Sequence, residues 1–501
     1  MIHQLWQSIP FACILLPLVS AAVCSVLKPA AARRFCLSII TVVTGLSVYL
    51  TAQFALGAES YTYMMGHYSA PWGNEIRAGM LEAVTALFFS VVMALSMLGG
   101  LKKIGEHIEE HQRSLYCVVL LLMTSALMAQ VFTNDIFTSY VFLEIMTLGA
   151  CAMIVSRKRG RTLLAATRYM IMNLIGSGLF LLGIILLYDL TGHLLMENLQ
   201  TSVAAIHASG EYALPLTVVI ALMTIGLGIK SALFPFHTWV SDAYSFTTPT
   251  SSAVISSLVC KGYIFLLLKI YYRVFGLDVV LSTGIFDILL VFGVVGMIMG
   301  SLSAIRQNDI RRMIAFSSVA QIGYIYMGIG LGTAEGMMAA MFHVFSHALC
   351  KAMLFLSAGG LADASGNSKK FRDLRGAGFR APVAGVAFTI GALSMVGFPF
   401  LGGFSSKLNF ALAGMSAGGT PSLLVIVALT ISTALNTLYF LRTVVTLYRK
   451  PAEDVSYPAE KGRRGFCFGL SLVIFSVLNI AMGLFSQPII NAITAGLATF
   501  S

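Results

Sequence analysis

Three titratable side chains on one stretch of this chain stand at the spacing of a single helix face. His343, His347 and Lys351 recur at i, i+4 and i+8, so an α-helix stacks them turn upon turn with a slow drift around its axis. Glu144, Lys230, Lys261 and Lys407 lie in other apolar stretches. Groups of this kind can each take up and return a proton, and burial brings an amine towards the range where it does so. A static buried ion pair is the plainer reading of any one of them. A series of Glu, Lys and His on separate segments favours a proton path. His343-x-x-x-His347 also has the spacing of two metal ligands, but no Glu stands beside the first His and no third ligand is evident, so no metal site is expected.

These residues sit in a chain built for lipid. Of 501 residues, 57% are apolar and 11% charged, against about 25% charged in soluble globular domains. So much apolar surface exceeds what one core can hide, and it must face a bilayer. The net charge of +11 is no sign of nucleic-acid binding, because the basic residues fall in short connections between apolar runs. The eight cysteines, Cys13, Cys24, Cys36, Cys117, Cys151, Cys260, Cys350 and Cys467, are scattered without a CxxC pair. Small apolar filler is their expected role, and no iron–sulfur, zinc or other cofactor site is expected. The start, Met1-Ile2-His3-Gln4, lacks a basic leader region and reads as an uncleaved first helix.

A bilayer core takes about 20 helical residues. That ruler gives about fourteen spans, near residues 5–27, 35–56, 79–100, 114–132, 135–155, 164–188, 213–241, 249–274, 282–303, 312–331, 335–361, 381–412, 421–448 and 465–489. The connections after odd-numbered spans hold Lys28, Arg33 and Arg34; Lys102, Lys103 and Arg113; Arg157, Lys158, Arg159, Arg161 and Arg168; Arg306, Arg311 and Arg312; Lys369, Lys370, Arg372, Arg375 and Arg380; and Arg449, Lys450, Lys461, Arg463 and Arg464. That is 24 of the 32 basic residues, whereas the connections after even-numbered spans hold Arg77 and Arg273. The positive-inside rule then puts the odd connections in the cytoplasm and both termini outside. Six basic residues remain within spans. Lys269 and Arg442 lie near span ends and are expected to snorkel to the interface. Lys230, Lys261, Lys351 and Lys407 lie deeper, where a charge costs on the order of a few kcal/mol and persists if paired, hydrated or useful.

Two spans are broken. Leu233-Phe234-Pro235-Phe236 interrupts the seventh, and Gly397-Phe398-Pro399-Phe400 with Gly402-Gly403 interrupts the twelfth. Pro235 and Pro399 each remove a helix hydrogen bond, and the carbonyls so released must find side chains or water inside a membrane. The two Phe-Pro-Phe copies are five spans apart, each near a buried lysine. Five is odd, so the helices run in opposite directions, the pattern of an inverted repeat with discontinuous helices.

Five stretches carry a family resemblance: Asn134-Asp135-Ile136 through Glu144; Lys230-Ser231-Ala232-Leu233-Phe234-Pro235-Phe236-His237-Thr238-Trp239 through Asp242-Ala243; Asp309-Ile310-Arg311-Arg312-Met313 through Ser318; His343 through His347 to Phe355; and Gly397-Phe398-Pro399 through Lys407. Over about residues 80–450 the chain resembles the antiporter-like subunits shared by Mrp-type cation/proton antiporters, respiratory complex I and membrane-bound group 4 hydrogenases. The resemblance implies an all-α polytopic membrane fold of fourteen helices with two inverted five-helix repeats, spans 4–8 and 9–13. The chain then divides into residues 1–110, 111–275, 276–450 and 451–501. It further implies that Glu144 pairs with Lys230, that Lys230 gates transfer to Lys261 and the histidines His343 and His347, that His237 belongs to the route, and that Lys351 and Lys407 lead to an exit. The chain departs from the family where many members carry an Asp at the start of the third span. Gly79 stands there, with Glu82 soon after. The segment Pro249-Thr250-Ser251-Ser252 up to Lys261 also departs from the pattern, and no acidic partner follows Lys407.

The expected function is a proton-translocating subunit of a larger membrane complex, with other membrane subunits and the bilayer as partners. The complex is either an Mrp-type Na+/H+ antiporter or a complex I-like or hydrogenase-like respiratory assembly. Sodium transport is the alternative of the same class, although sodium prefers oxygen ligands. A subunit of a redox enzyme, whose redox chemistry then belongs to partners, and a purely structural scaffold are the alternatives of other classes.

Overall fold

A computed structural model describes residues 6–65, 68, 73–157, 160–450 and 465–500. Lys158, Arg159, Lys461, Arg463 and Arg464, counted above among the basic connections, lie outside the described residues. Among the described residues, thirteen helices are long and apolar enough to cross a membrane. The remaining expected span is the broken twelfth, a shorter apolar helix Pro382–Val396 followed by Gly402–Ala417. The expected fourteen segments are therefore all helical, and the seventh and twelfth are the ones that divide.

The break in span 7 separates Ala213–Lys230 from Val240–Phe246. The turn runs through Ala232 at φ +67°, and the break in span 12 runs through Phe400, also at φ +67°. Such angles are uncommon for residues with a Cβ. Span 8 is continuous but irregular: α-helical Pro249–Val254 passes through a π-turn, Ile255–Val259, into Cys260–Ile270. A π-turn holds one residue more than an α-turn.

The two halves share local devices five spans apart. Asp135 caps span 5, accepting from the Thr138 N–H, and Asp309 caps span 10, accepting from the Arg311 and Arg312 N–H groups. Each Asp follows an Asn and precedes an Ile. Beside the first, the Ile136 N–H donates to the Leu194 carbonyl and the Met196 N–H to the Asn134 carbonyl. Beside the second, Ile310 donates to Lys369 and Phe371 to Asn308. The same clasp is thus made to the chain after span 6 and to the chain after span 11.

Two elements lie outside the sequence-based expectation. A helix, Met196–Ser209, stands between spans 6 and 7, and a two-stranded antiparallel hairpin pairs Tyr61–Met64 with Glu75–Ala78. A further helix, Ser486–Ala498, follows span 14.

The centre of the molecule is made by spans 8, 10 and 11. Every residue of Cys260–Ile270 is buried, as is nearly all of Ala334–Asp363. Outer spans instead present apolar side chains such as Leu174, Ile175, Leu423 and Val445 to the surroundings, as a lipid-facing surface must. Spans 9 and 10 meet backbone to backbone. A Cβ on Gly323 would lie 2.6 Å from the Gly293 carbonyl oxygen and 2.6 Å from the Met297 nitrogen, the small-residue contact by which membrane helices pack closely. Gly323→Val should therefore destabilise the protein by about 1–3 kcal/mol. The expected reading is a lower unfolding midpoint in detergent. Gly178→Ala, at a position where a Cβ meets nothing within 4 Å, should leave the midpoint unchanged.

Candidate functional site: a buried row of lysines and histidines

Lys230 is the last residue of the first half of span 7 and is fully buried. Its Nζ lies 3.5 Å from Glu144 Oε1 and donates to Thr147 Oγ1 at 2.7 Å. Glu144 and Thr147 sit three residues apart on span 5, and the Ser177 hydroxyl of span 6 donates to Glu144. Tyr263 of span 8 closes the group, its hydroxyl 3.1 Å from Thr147 and its ring 5.3 Å from the Lys230 ammonium. The expected Glu144–Lys230 pair is therefore formed, with Lys230 wholly inside and Glu144 partly exposed at 22%.

Lys261, two residues before Tyr263, donates to the Ser256 carbonyl at 2.6 Å. Ser256 lies within the π-turn. The Ser256 hydroxyl lies 3.2 Å from that of Ser318 on span 10. From span 11, the rings of His343 and His347 lie in near-parallel planes with their centroids 5.6 Å apart. Lys261 and Lys351 lie close enough to act electrostatically on both histidines. Neither nitrogen of His347, nor Nε2 of His343, has a hydrogen-bond partner among the described residues. His343 Nδ1 is paired with the Ser406 hydroxyl at 2.7 Å.

Ser406 precedes Lys407 in the second half of span 12. Lys407 Nζ donates to the Val396 carbonyl at 2.8 Å and to Thr433 Oγ1 at 3.0 Å, and lies 5.6 Å from the Tyr324 ring. Val396 is the final residue of the helix before the break, so Lys407 donates to a carbonyl that the break exposes. Lys351 donates to the Ile314 carbonyl at 3.1 Å and to the Ser317 hydroxyl. His237, in the break of span 7, packs its ring 5.1 Å from Phe234 and joins none of these lysine contacts.

The structure thus brings Glu144 and Lys230 into one group and His343, Ser406 and Lys407 into another, with Lys261 and His347 between them. The hydroxyls of Thr147, Ser256, Ser317, Ser406 and Thr433 were missed from the sequence. Ser and Thr are common in spans, and only the three-dimensional contacts single these out.

Two expectations for the other cations are overturned. Lys269 does not snorkel. It is fully buried and donates to the Val131 and Thr133 carbonyls at 2.7 and 2.6 Å, at the end of span 4. Arg273 is likewise buried, at 6% exposure, within span 8 and not in a connection. The carbonyls that end a helix need donors, and a lysine one element away supplies them. Arg442 does reach the surface, donating to the Gln307 carbonyl at 3.0 Å. Asp242, quoted above without a role, ties the halves together: its carboxylate takes Arg168 at 2.5 Å and Arg312 at 2.8 Å.

A polytopic bundle with two broken helices and a buried row of titratable groups defines a membrane subunit of the ion-translocating class. Residues 133–435 match the family described as NADH:quinone oxidoreductase/Mrp antiporter, TM, and the chain belongs to that family. It is 32% identical to NADH-quinone oxidoreductase subunit N of Desulforudis audaxviator (strain MP104C) over 92% of this chain and 91% of the relative. It is 24% identical to a Na(+)/H(+) antiporter subunit of Bacillus subtilis (strain 168), over 84% and 83%. Among solved structures it is similar to a chain of the membrane-bound sulfane sulfur reductase, an archaeal respiratory membrane complex, with a TM-score of 0.87, 27% identity and 98% of each chain covered.

Thr147→Val keeps the side-chain volume but removes the acceptor of Lys230 and the partner of Tyr263. It should cost about 1–3 kcal/mol, measured as a lower unfolding midpoint of the purified assembly, and Thr147→Ser should restore most of it.

Proposed function

We propose that this chain is a proton-translocating subunit of a multisubunit membrane complex of the Mrp antiporter or complex I-like type. The observation that carries the reading is the Lys230–Glu144 ion pair, 3.5 Å long, at the break of span 7 and at one end of the buried row. Lysines and histidines exchange protons and bind alkali cations poorly, whereas sodium calls for several oxygen ligands. This favours protons as the ion.

In this reading a proton enters from the cytoplasm near the broken seventh helix, where His237 stands, and loads Lys230 while Glu144 holds the opposite charge. When the pair opens, the ammonium is left in an apolar site without its counter-charge and yields its proton. Lys261 receives it across Tyr263 and Ser256. His347 and His343 carry it onward to Lys351 and Lys407, with Ser406 and Thr433 as hydrogen-bonding partners and the Tyr324 ring packed against the Lys407 ammonium. Water completes the wire between groups, as it does for buried nitrogens without a protein partner. The breaks at Pro235 and Pro399 open carbonyls to the row, and residues 111–275 and 276–450 act as the two repeat units. The chain sits in the cytoplasmic membrane with the basic connections inside and both termini outside.

Lys230→Ala in the assembled complex, reconstituted into vesicles, should lower proton translocation at least about tenfold with the complex intact, and Glu144→Gln should do the same. Unchanged pumping or antiport by Lys230→Ala would sink the assignment. The orientation predicts that a membrane-impermeant maleimide reaches Thr201→Cys from the outside and Lys370→Cys from the cytoplasm. The reverse pattern would overturn it.

A further inference from the structure

Span 8 carries a second buried amine that the route above does not use. Lys269 lies eight residues after Lys261 on the same helix, about 12 Å along its axis. The two amines are separated by Gln130 of span 4, which is fully buried and whose side-chain oxygen and nitrogen both lack a partner among the described residues. A Cβ on Gly262, the neighbour of Lys261, would lie 3.1 Å from Gln130 Oε1. The residue after Gln130 is Val131, whose carbonyl accepts from Lys269 at 2.7 Å. Gln130 therefore touches the surroundings of both amines.

Beyond Lys269 stands a carboxylate. Glu82, in the first turn of span 3, is 1% exposed, and its Oε1 has no hydrogen-bond donor among the described residues, the Arg77 guanidinium standing 3.7 Å away. Glu82, Arg77 and Arg273 all act electrostatically on Lys269. Arg273 in turn feels Arg77, Glu82, Glu75 and the exposed Glu197. Glu75 accepts from Asn134 Nδ2 at 2.5 Å. Arg77 and Arg273 stay charged, so Lys269 and Glu82 are the buried groups of this cluster that can change charge. Nearby, an open cavity of about 520 Å³ is lined by Gln200, Tyr272, Asp278 and Glu335, at the end of the bundle opposite the basic connections.

We propose that Gln130, Lys269 and Glu82 form a second proton outlet, branching from Lys261 and releasing at the face opposite the basic connections, without passing through Lys351 or Lys407. The proposal rests on the proton-translocating reading above. The chemistry of Lys269 suits it. An ammonium has three N–H donors and an amine two. Two carbonyls are held here, so Lys269 can lose one proton and keep both hydrogen bonds. One N–H bond breaks on Lys269 and, relayed by water between the two side chains, one O–H bond forms on Glu82, leaving a neutral amine and a carboxylic acid. Lys261 then gives up a proton, relayed by water held against the Gln130 amide, and the Lys269 amine takes it. The Glu82 O–H bond breaks last, passing the proton to water on the outlet side. Lys230 reloads Lys261, so one proton crosses per cycle and every group returns to its starting charge.

A lysine that only caps span 4 is separated from one that relays by Lys269→Arg, because the guanidinium keeps the charge and the donors but does not give up its proton. The assembled complex carrying Lys269→Arg, or the near-isosteric Glu82→Gln, is reconstituted into vesicles beside Lys230→Ala, with proton translocation and complex abundance both measured. Each outlet variant is expected to slow translocation about twofold at normal abundance, with the route through Lys351 and Lys407 carrying the remainder. Full translocation by Glu82→Gln, or by an assembled Lys269→Arg complex, while Lys230→Ala abolishes it, overturns the outlet and leaves the main route standing. Full translocation by all three overturns both. If Lys269→Arg fails to assemble, Glu82→Gln decides alone.

Discussion

A polar backbone group inside a bilayer must be satisfied within the protein, and the interior of this molecule is organised around that constraint. Each broken or irregular helix opens carbonyls that need donors, and each buried lysine needs acceptors. The structure meets both needs at once. Lys407 binds the carbonyl at the break of span 12, Lys261 the Ser256 carbonyl of the π-turn, and Lys269 two carbonyls where span 4 ends. An amine held this way is fixed in place whether or not it carries its extra proton, because two N–H bonds remain in either state. Fixed position with variable charge is what a proton relay requires.

The carboxylates are distributed unequally, and that asymmetry gives the row a direction. Lys230 has Glu144 within 3.5 Å, whereas Lys407 has a carbonyl, a hydroxyl and an aromatic ring as its named neighbours. A charge at Lys230 is stabilised by an opposite charge. A charge at Lys407 rests on dipoles and a π face, which are weaker partners. The two halves share helix order, capping aspartates and strand-like clasps, yet they differ at this point. The same framework therefore provides two electrostatically distinct ends to one row.

Rigidity is supplied around this polar axis rather than within it. Glycine contacts between spans 9 and 10 bring backbones together, and Asp242 joins Arg168 to Arg312 across the two halves. The histidines, by contrast, are bound at one nitrogen of four among the described residues, through His343 Nδ1 and Ser406. Rings with open nitrogens in a stiff surrounding can exchange protons without rearranging the helices.

Much of this was readable from residue order. Apolar runs at bilayer length gave the fourteen segments, charge alternation between connections kept their count consistent, and the proline breaks pointed to Lys230 and Lys407 with their repeat. These signals are local, since each depends on neighbours within a helix turn or a span. The residue order placed Lys269 and Arg273 wrongly, because proximity to a span end says nothing about what packs over that end. It also left the hydroxyl partners and Gln130 unseen. Lys269 meets carbonyls 138 and 136 residues away, and Ser406 meets a histidine 63 residues away. Which helix lies beside which, and with what rotation, is set by packing among all the spans together. Hydropathy and spacing chose the charged groups, and tertiary packing chose their partners, because a hydrogen bond requires two atoms within about 3 Å however far apart they lie along the chain.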